Sequence, residues 1–229
     1  MTSLVRPRSS VGVPAPLRTP AFCGWLACVV AFTAMAVMAA VYDRFPGDLG
    51  AARRWIAVDP PVLSGAMRFI TDVGKPWPAG IIGVSLAVAL ALARRPLEAG
   101  LTLATFPARA VGEVVKRLVE RPRPDEALVR VIDDGSTSFS FPSGHALTAV
   151  LFYGLVWWMA GRVIPWQPVR WLVRAWCAFI IVTTPASRVY LGAHWPSDVV
   201  GGALLGGILL AALLWAGAEA ERRWPALRS

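Results

Sequence analysis

Residues 22–42, FCGWLACVVAFTAMAVMAAVY, contain no charged side chain. About 20 apolar residues in a row is the length a helix needs to cross the hydrocarbon core of a bilayer. Further apolar blocks run near 77–93, 97–118, 144–161, 169–187 and 197–218. In lipid, each backbone N–H and C=O must be satisfied within its own segment, so every block is predicted to be a helix. The chain therefore reads as an all-α, polytopic membrane protein, a six-transmembrane-helix bundle. Its composition agrees: 56% of the 229 residues are hydrophobic and 16% charged, where a soluble domain carries about a quarter charged. A cleaved signal peptide is the rival reading of 22–42, but the block is too long for a signal core.

Two blocks are weak. The third holds Arg109, Glu113 and Lys116, and the fifth holds Arg174. Between the first two blocks, Leu63, Met67, Ile70 and Val73 recur at helical spacing, while Asp59, Arg68 and Asp72 interrupt the run. That pattern predicts an interfacial amphipathic helix, not a seventh span. Gly202 and Gly206 form a GxxxG, which is either a close-packing surface or glycine tolerated on a lipid face. Residues 1–20, with three arginines and four prolines, read as a flexible cytoplasmic tail. Residues 21–218 are the membrane domain, and 219–229 form a second cytoplasmic tail.

The net charge of +9 does not indicate nucleic acid. The basic residues lie at the edges of apolar blocks, as juxtamembrane anchors do. Cys23, Cys28 and Cys177 all fall inside apolar stretches and read as small hydrophobes, neither a disulfide framework nor a metal cluster. No cofactor is implied. Six spans place both termini on one side of the membrane. That side holds eleven Lys and Arg and the other side eleven, with Arg109 inside a span. Setting aside Lys116, Arg123 and Arg188 for chemistry leaves eleven against eight, which places the termini in the cytoplasm.

Three polar islands interrupt the apolar chain: KRLVERPRP at 116–124, PSGH at 142–145 and SRVYLGAHWPSD at 187–198. In the six-span reading all three emerge on the face away from the termini. Lys116, Arg123 and Arg188 suit the several oxygens of a phosphoryl group. Ser143 and Gly144 sit where a helix begins, so free N–H groups and the positive end of its dipole point outward. His194 and Asp198 are four apart, and Pro196 suits a first helical turn. The carboxylate can then reach one ring nitrogen and leave the other exposed. A histidine held this way beside an anion cradle is a nucleophile arrangement, and the chain's other histidine, His145, is placed to be a general acid. Each element alone has a bland reading as a helix start, an interfacial residue or a lipid anchor. Their coincidence on one face is the signal.

The spacing of these residues resembles the type-2 phosphatidic acid phosphatase superfamily, membrane lipid phosphatases related to vanadium haloperoxidases. The family pattern is Lys-x6-Arg-Pro, Pro-Ser-Gly-His, then Ser-Arg-x5-His-x3-Asp. Here it is met by Lys116 and Arg123-Pro124, by Pro142-Ser143-Gly144-His145, and by Ser187-Arg188, His194 and Asp198. The resemblance implies a metal-independent phosphatase in which His194 attacks phosphorus and Asp198 orients it. His145 would protonate the leaving oxygen, while Lys116, Arg123, Arg188, Ser143 and Gly144 hold the phosphoryl oxygens.

The implied substrate is a lipid phosphate in the bilayer. A polyprenyl pyrophosphate ranks first, followed by phosphatidic acid or phosphatidylglycerol phosphate. A phosphatase of soluble esters is the alternative, and a non-catalytic phospholipid-binding or lipid-transporting protein is the alternative of another class. A soluble haloperoxidase would have no use for six apolar spans. The site is expected on the extracytoplasmic face of the cytoplasmic membrane. The stretch 121–141, with Asp125, Glu126, Asp133 and Asp134, would be an outer connector, or alternatively a lid.

Overall fold

The computed structural model describes residues 19–58, 61–132 and 138–227, and all regular structure among them is helical. Helix α1 spans Thr19–Val41, α2 Asp48–Ile56, α3 Pro61–Val73, α4 Pro76–Leu92 and α5 Pro96–Val119. The next rod starts as α6, Gly144–Thr148, widens through a π turn at Ala149–Tyr153 and continues as α7, Gly154–Val163. Helices α8, Gln167–Tyr190, and α9, Pro196–Arg223, complete the bundle. Thr19 and Pro20 open α1; the rest of the expected tail, together with Asp59, Asp133 and Asp134, lies outside the described residues.

Proline sets several starts. Pro76, Pro96 and Pro196 each occupy the first helical position, where a missing N–H costs nothing and φ is already helical. Helix α5 stops at Glu120, whose left-handed backbone turns the chain away.

Four helices are long and apolar enough to cross a bilayer: Pro20–Val41, Gly144–Val163, Gln167–Tyr190 and Pro196–Arg223. Helices α3 and α4 meet at a bend of 44° and make a fifth span if taken as one. Helix α4 alone has 17 residues. Helix α5 has the length, with 24 residues, but carries Glu98, Arg109, Glu113, Lys116 and Arg117. Side chains such as Val30, Val37, Ile81, Leu172 and Val182 stand exposed around the bundle, as expected where the surroundings are lipid. The chain is a membrane protein.

The segment between α1 and α4 holds two helices, not one. The expected amphipathic helix is α3, with Leu63, Met67, Ile70 and Val73 turned partly inward. The buried Thr71 hydroxyl meets that of Ser187 on α8 at 2.7 Å. Helix α2 was not anticipated, because its inward residues Asp48, Ala52 and Ile56 recur at helical spacing but include a carboxylate and an alanine, too weak an apolar signal.

Helix α9 lies against α1, α5 and α6. The two glycines of its GxxxG are a packing surface. A Cβ on Gly202 would strike the Ser143 carbonyl oxygen, and one on Gly206 would lie 2.8 Å from the Leu147 oxygen. At the end remote from α6, the fully buried Glu98 accepts from Arg162 at 3.2 Å, and Arg162 also pairs with Glu221. That ionic clasp ties α5, α7 and α9 together.

Candidate active site

The N-termini of α6 and α9 are drawn together by the glycine contact, and the Ser143 amide donates to the Asp198 carbonyl at 2.9 Å. Around this joint the structure gathers the residues expected from the sequence. Lys116 is buried near the end of α5, Ser143 caps α6 with no exposed surface, and Gly144 and the half-buried His145 form its first turn. The chain leaves α8 at the buried Arg188, turns at Gly192 and places His194 just ahead of α9. Gly192 is required there: its φ is +73°, and a Cβ would sit 2.5 Å from the Arg130 carbonyl oxygen.

His194 is 2% exposed, and its two ring nitrogens face opposite chemistries. Nδ1 lies 3.6 Å from Asp198 Oδ2 and 3.3 Å from Ser140 Oγ. Nε2 lies 3.3 Å from Nη1 of Arg123. A guanidinium has donors only, so Nε2 carries the lone pair and Nδ1 the proton. The expectation that one ring nitrogen would be left exposed is corrected: the ring is buried, and Nε2 looks into the cation cluster. Burial holds the His194 pKa well below the ordinary histidine value, and the neighbouring Arg123, Arg188 and Lys116 lower it further.

Two side chains at the heart of the site had no motif to mark them. The Ser140 hydroxyl donates to Asp198 Oδ2 while touching the histidine. Arg121, fully buried, holds Asp198 Oδ1 at 2.5 Å and Asp48 Oδ2 at 2.9 Å. Asp48 in turn accepts from the Ser197 amide at 3.0 Å and from its hydroxyl at 2.6 Å. The Asp198 carboxylate also accepts the Trp195 amide at 2.9 Å. A buried carboxylate needs such donors. The signal available was the first arginine of RPRP, Arg121; nothing in the sequence points to its partner Asp48, 73 residues earlier.

Arg123 donates to the Ala193 carbonyl at 2.7 Å and to the Ser138 carbonyl at 2.6 Å. This fixes the guanidinium between the loop before α6 and the loop before α9. Gly144 faces Lys116 and Glu113: a Cβ there would be in ordinary van der Waals contact, 3.8 Å from both Lys116 Nζ and Glu113 Oε1. Ser143 Oγ is buried and has no hydrogen-bond partner among the described residues. Cations, the first turn of a helix and an unpartnered hydroxyl gathered at one joint have the chemistry to hold a tetrahedral anion.

A helical membrane bundle with a buried histidine–carboxylate pair beside a cluster of cations has the makings of a membrane enzyme of phosphoryl chemistry. Residues 95–222 match the PAP2 superfamily, and the chain belongs to it. It is a phosphatase of that superfamily. Phosphatidylglycerophosphatase B of Bacillus subtilis (strain 168) is 31% identical over 165 residues, 71% of this chain and 79% of that one. The undecaprenyl-diphosphatase of Sulfolobus acidocaldarius is 31% identical over 150 residues, 63% of this chain and 66% of its own length. In fold, the chain is similar to the crystal structure of a transmembrane PAP2-type phosphatidylglycerolphosphate phosphatase from Bacillus subtilis. The TM-score is 0.72 at 24% identity, over 86% of this chain and 96% of the other.

Proposed function

We propose that the protein hydrolyses the terminal phosphate of a membrane lipid through a phosphohistidine on His194. The observation that carries this reading is the orientation of the ring, with Nδ1 toward Ser140 and Asp198 and Nε2 toward the cations. In this reading Nε2 attacks phosphorus in line with the departing oxygen. As the P–N bond forms, the P–O bond to the lipid breaks, and His145 gives that oxygen a proton. The imidazolium that results is balanced by Asp198. Water, deprotonated by His145, then attacks phosphorus and returns free His194 with inorganic phosphate. Lys116, Arg123, Arg188, Ser143 Oγ and the Gly144 N–H hold the equatorial oxygens, where charge stabilisation supplies most of the catalysis.

The site lies at the ends of apolar helices, which favours a lipid over a soluble ester as substrate. If α4 and α5 are counted as spans beside the four longest apolar helices, the six crossings leave both termini on one side and the site on the other; the basic-residue count of eleven against eight favours the cytoplasm for the termini. A lipid monoester and a polyprenyl diphosphate both fit the cradle itself. Purified protein in detergent, given a panel of lipid and soluble phosphates and quenched during turnover, tests the reading. An acid-labile, base-stable phosphoenzyme absent from His194→Ala is expected, and its absence from the wild type during active turnover would overturn the proposal.

A further inference from the structure

Helix α5 carries more charge than the phosphate cradle uses. Arg109, Glu113 and Lys116 are four and three residues apart and share one face. Ionisable residues within a spanning helix are costly and mark function. Arg109 Nη1 lies 3.4 Å from Glu113 Oε1, and that same carboxylate oxygen reaches the first turn of α6, 3.8 Å from where a Cβ on Gly144 would be, as does Lys116 Nζ. Both side chains of the pair keep solvent-accessible surface, 33% for Arg109 and 46% for Glu113, so neither is locked in the core.

At about 1.5 Å of rise per residue, Glu113 stands about 4.5 Å deeper along α5 than Lys116, and Arg109 about 10.5 Å deeper. From the cradle inward, the face therefore reads cation, carboxylate, cation. A lipid whose terminal phosphate occupies the cradle must run its remainder past this face toward the bilayer. A diphosphate joins its two phosphorus atoms through one oxygen, and its second phosphate would fall beside the Glu113 carboxylate, which repels it. A short polyol between two phosphates matches the sequence of groups instead. A free hydroxyl of the polyol donates to the carboxylate, and its inner phosphodiester reaches the guanidinium.

On the reading of the site given above, we infer that Glu113 and Arg109 are specificity residues. They select a lipid in which a short polyol separates the scissile phosphomonoester from an inner phosphodiester. Arg109 binds the inner phosphodiester, exchanging Glu113 for it, and the released carboxylate accepts from the polyol's free hydroxyl.

The test compares kcat/KM for three lipids in the full-length protein: phosphatidylglycerol phosphate, phosphatidic acid and a polyprenyl diphosphate. Phosphatidylglycerol phosphate has the polyol and the inner phosphodiester; the other two lack both. Wild type is expected to prefer it. Arg109→Gln should reduce the ratio of its kcat/KM to that of phosphatidic acid about tenfold or more, the effect of one lost charge-assisted hydrogen bond, mainly through KM. Arg109→Lys should restore part of the ratio, and Glu113→Gln should lower it less. A misfolded fraction lowers all three rates together and leaves the ratios alone. Ratios unchanged in Arg109→Gln, or a preference for the diphosphate, would overturn the inference. The His194→Ala phosphoenzyme experiment separately decides the underlying mechanism.

Discussion

The Ser140 hydroxyl stands between His194 and Asp198, donating to the carboxylate Oδ2 and lying 3.3 Å from the ring Nδ1. Orientation of the His194 ring, the proposed nucleophile, therefore passes through a third side chain as well as directly from the aspartate, whose oxygen is 3.6 Å from the ring. Ser140→Ala is expected to lower kcat about 10–100-fold with little change in KM, the effect of leaving a buried group without its hydrogen bond. Asp198→Asn should cost more, about 10²–10⁴ in kcat, by analogy with other oriented histidines. Steady-state phosphate release measures both, and a larger loss from Ser140→Ala than from Asp198→Asn would contradict this ordering.

The depressed basicity of His194 sets the pH response. Its neutral form is lost as pH falls through the folded-state pKa. That value lies below the ordinary value of about 6.5 because of burial and then Arg123, Arg188 and Lys116. The ring should therefore stay neutral well into the acid range. With only two histidines in the chain, NMR titration of a His145→Gln variant reports on His194 alone. Arg123→Gln removes one lowering charge and should move the titration to higher pH; a shift to lower pH would refute the electrostatic account.

Arg121 should matter for stability as much as for rate. It is the shared partner of two buried carboxylates, Asp48 and Asp198. Arg121→Ala leaves both without their cation and should destabilise the fold by about 3–5 kcal/mol. Asp48→Asn keeps one acceptor oxygen for Ser197 and leaves no uncompensated charge of its own, and should cost less. Thermal unfolding in detergent gives the comparison, and an Arg121→Ala protein as stable as wild type would show that the pairing contributes nothing.

The cations clustered beside His194 are side chains, so turnover should persist in EDTA. Vanadate should inhibit, since its trigonal-bipyramidal form resembles the transition state of phosphoryl transfer. Activity that vanished in chelator and returned with Mg²⁺ would demand another mechanism.

Topology is open to a direct experiment. Cys23, Cys28 and Cys177 can be removed and Glu126, exposed in the loop after α5, replaced by cysteine. In an active variant, a membrane-impermeant thiol reagent added to intact cells should label it. Labelling only after permeabilisation would place the site on the cytoplasmic face.

Much of this architecture was legible because membranes simplify the code. Long uncharged runs gave helices near their observed bounds, and Pro196 marked the start of α9. That Lys116, Ser143 and His194 meet was legible for a different reason: they lie in short strings whose spacing resembles a family pattern. What escaped was held by tertiary contact alone. Asp48 and Arg121 are 73 residues apart, and each looks like an ordinary interfacial charge until α2 folds beneath α9. Ser140 escaped because an isolated serine has no periodicity to betray it. The GxxxG stayed ambiguous until the Ser143 carbonyl was found against Gly202, since a packing glycine and a tolerated glycine are spelled alike.

The place of Asp48 redraws the boundary of the working unit. The stretch matching the superfamily covers residues 95–222, yet the arginine that holds Asp198 is itself held from α2, about 50 residues before that stretch begins. Phe32 of α1, stacked on Phe141 at 5.9 Å, supports the loop just ahead of α6 in the same way. A fragment cut to the matching region would keep the residues of all three motifs and lose what holds two of them in place. Domain trimming, chimeras and motif grafts in this protein should therefore carry α1 and α2 with the site.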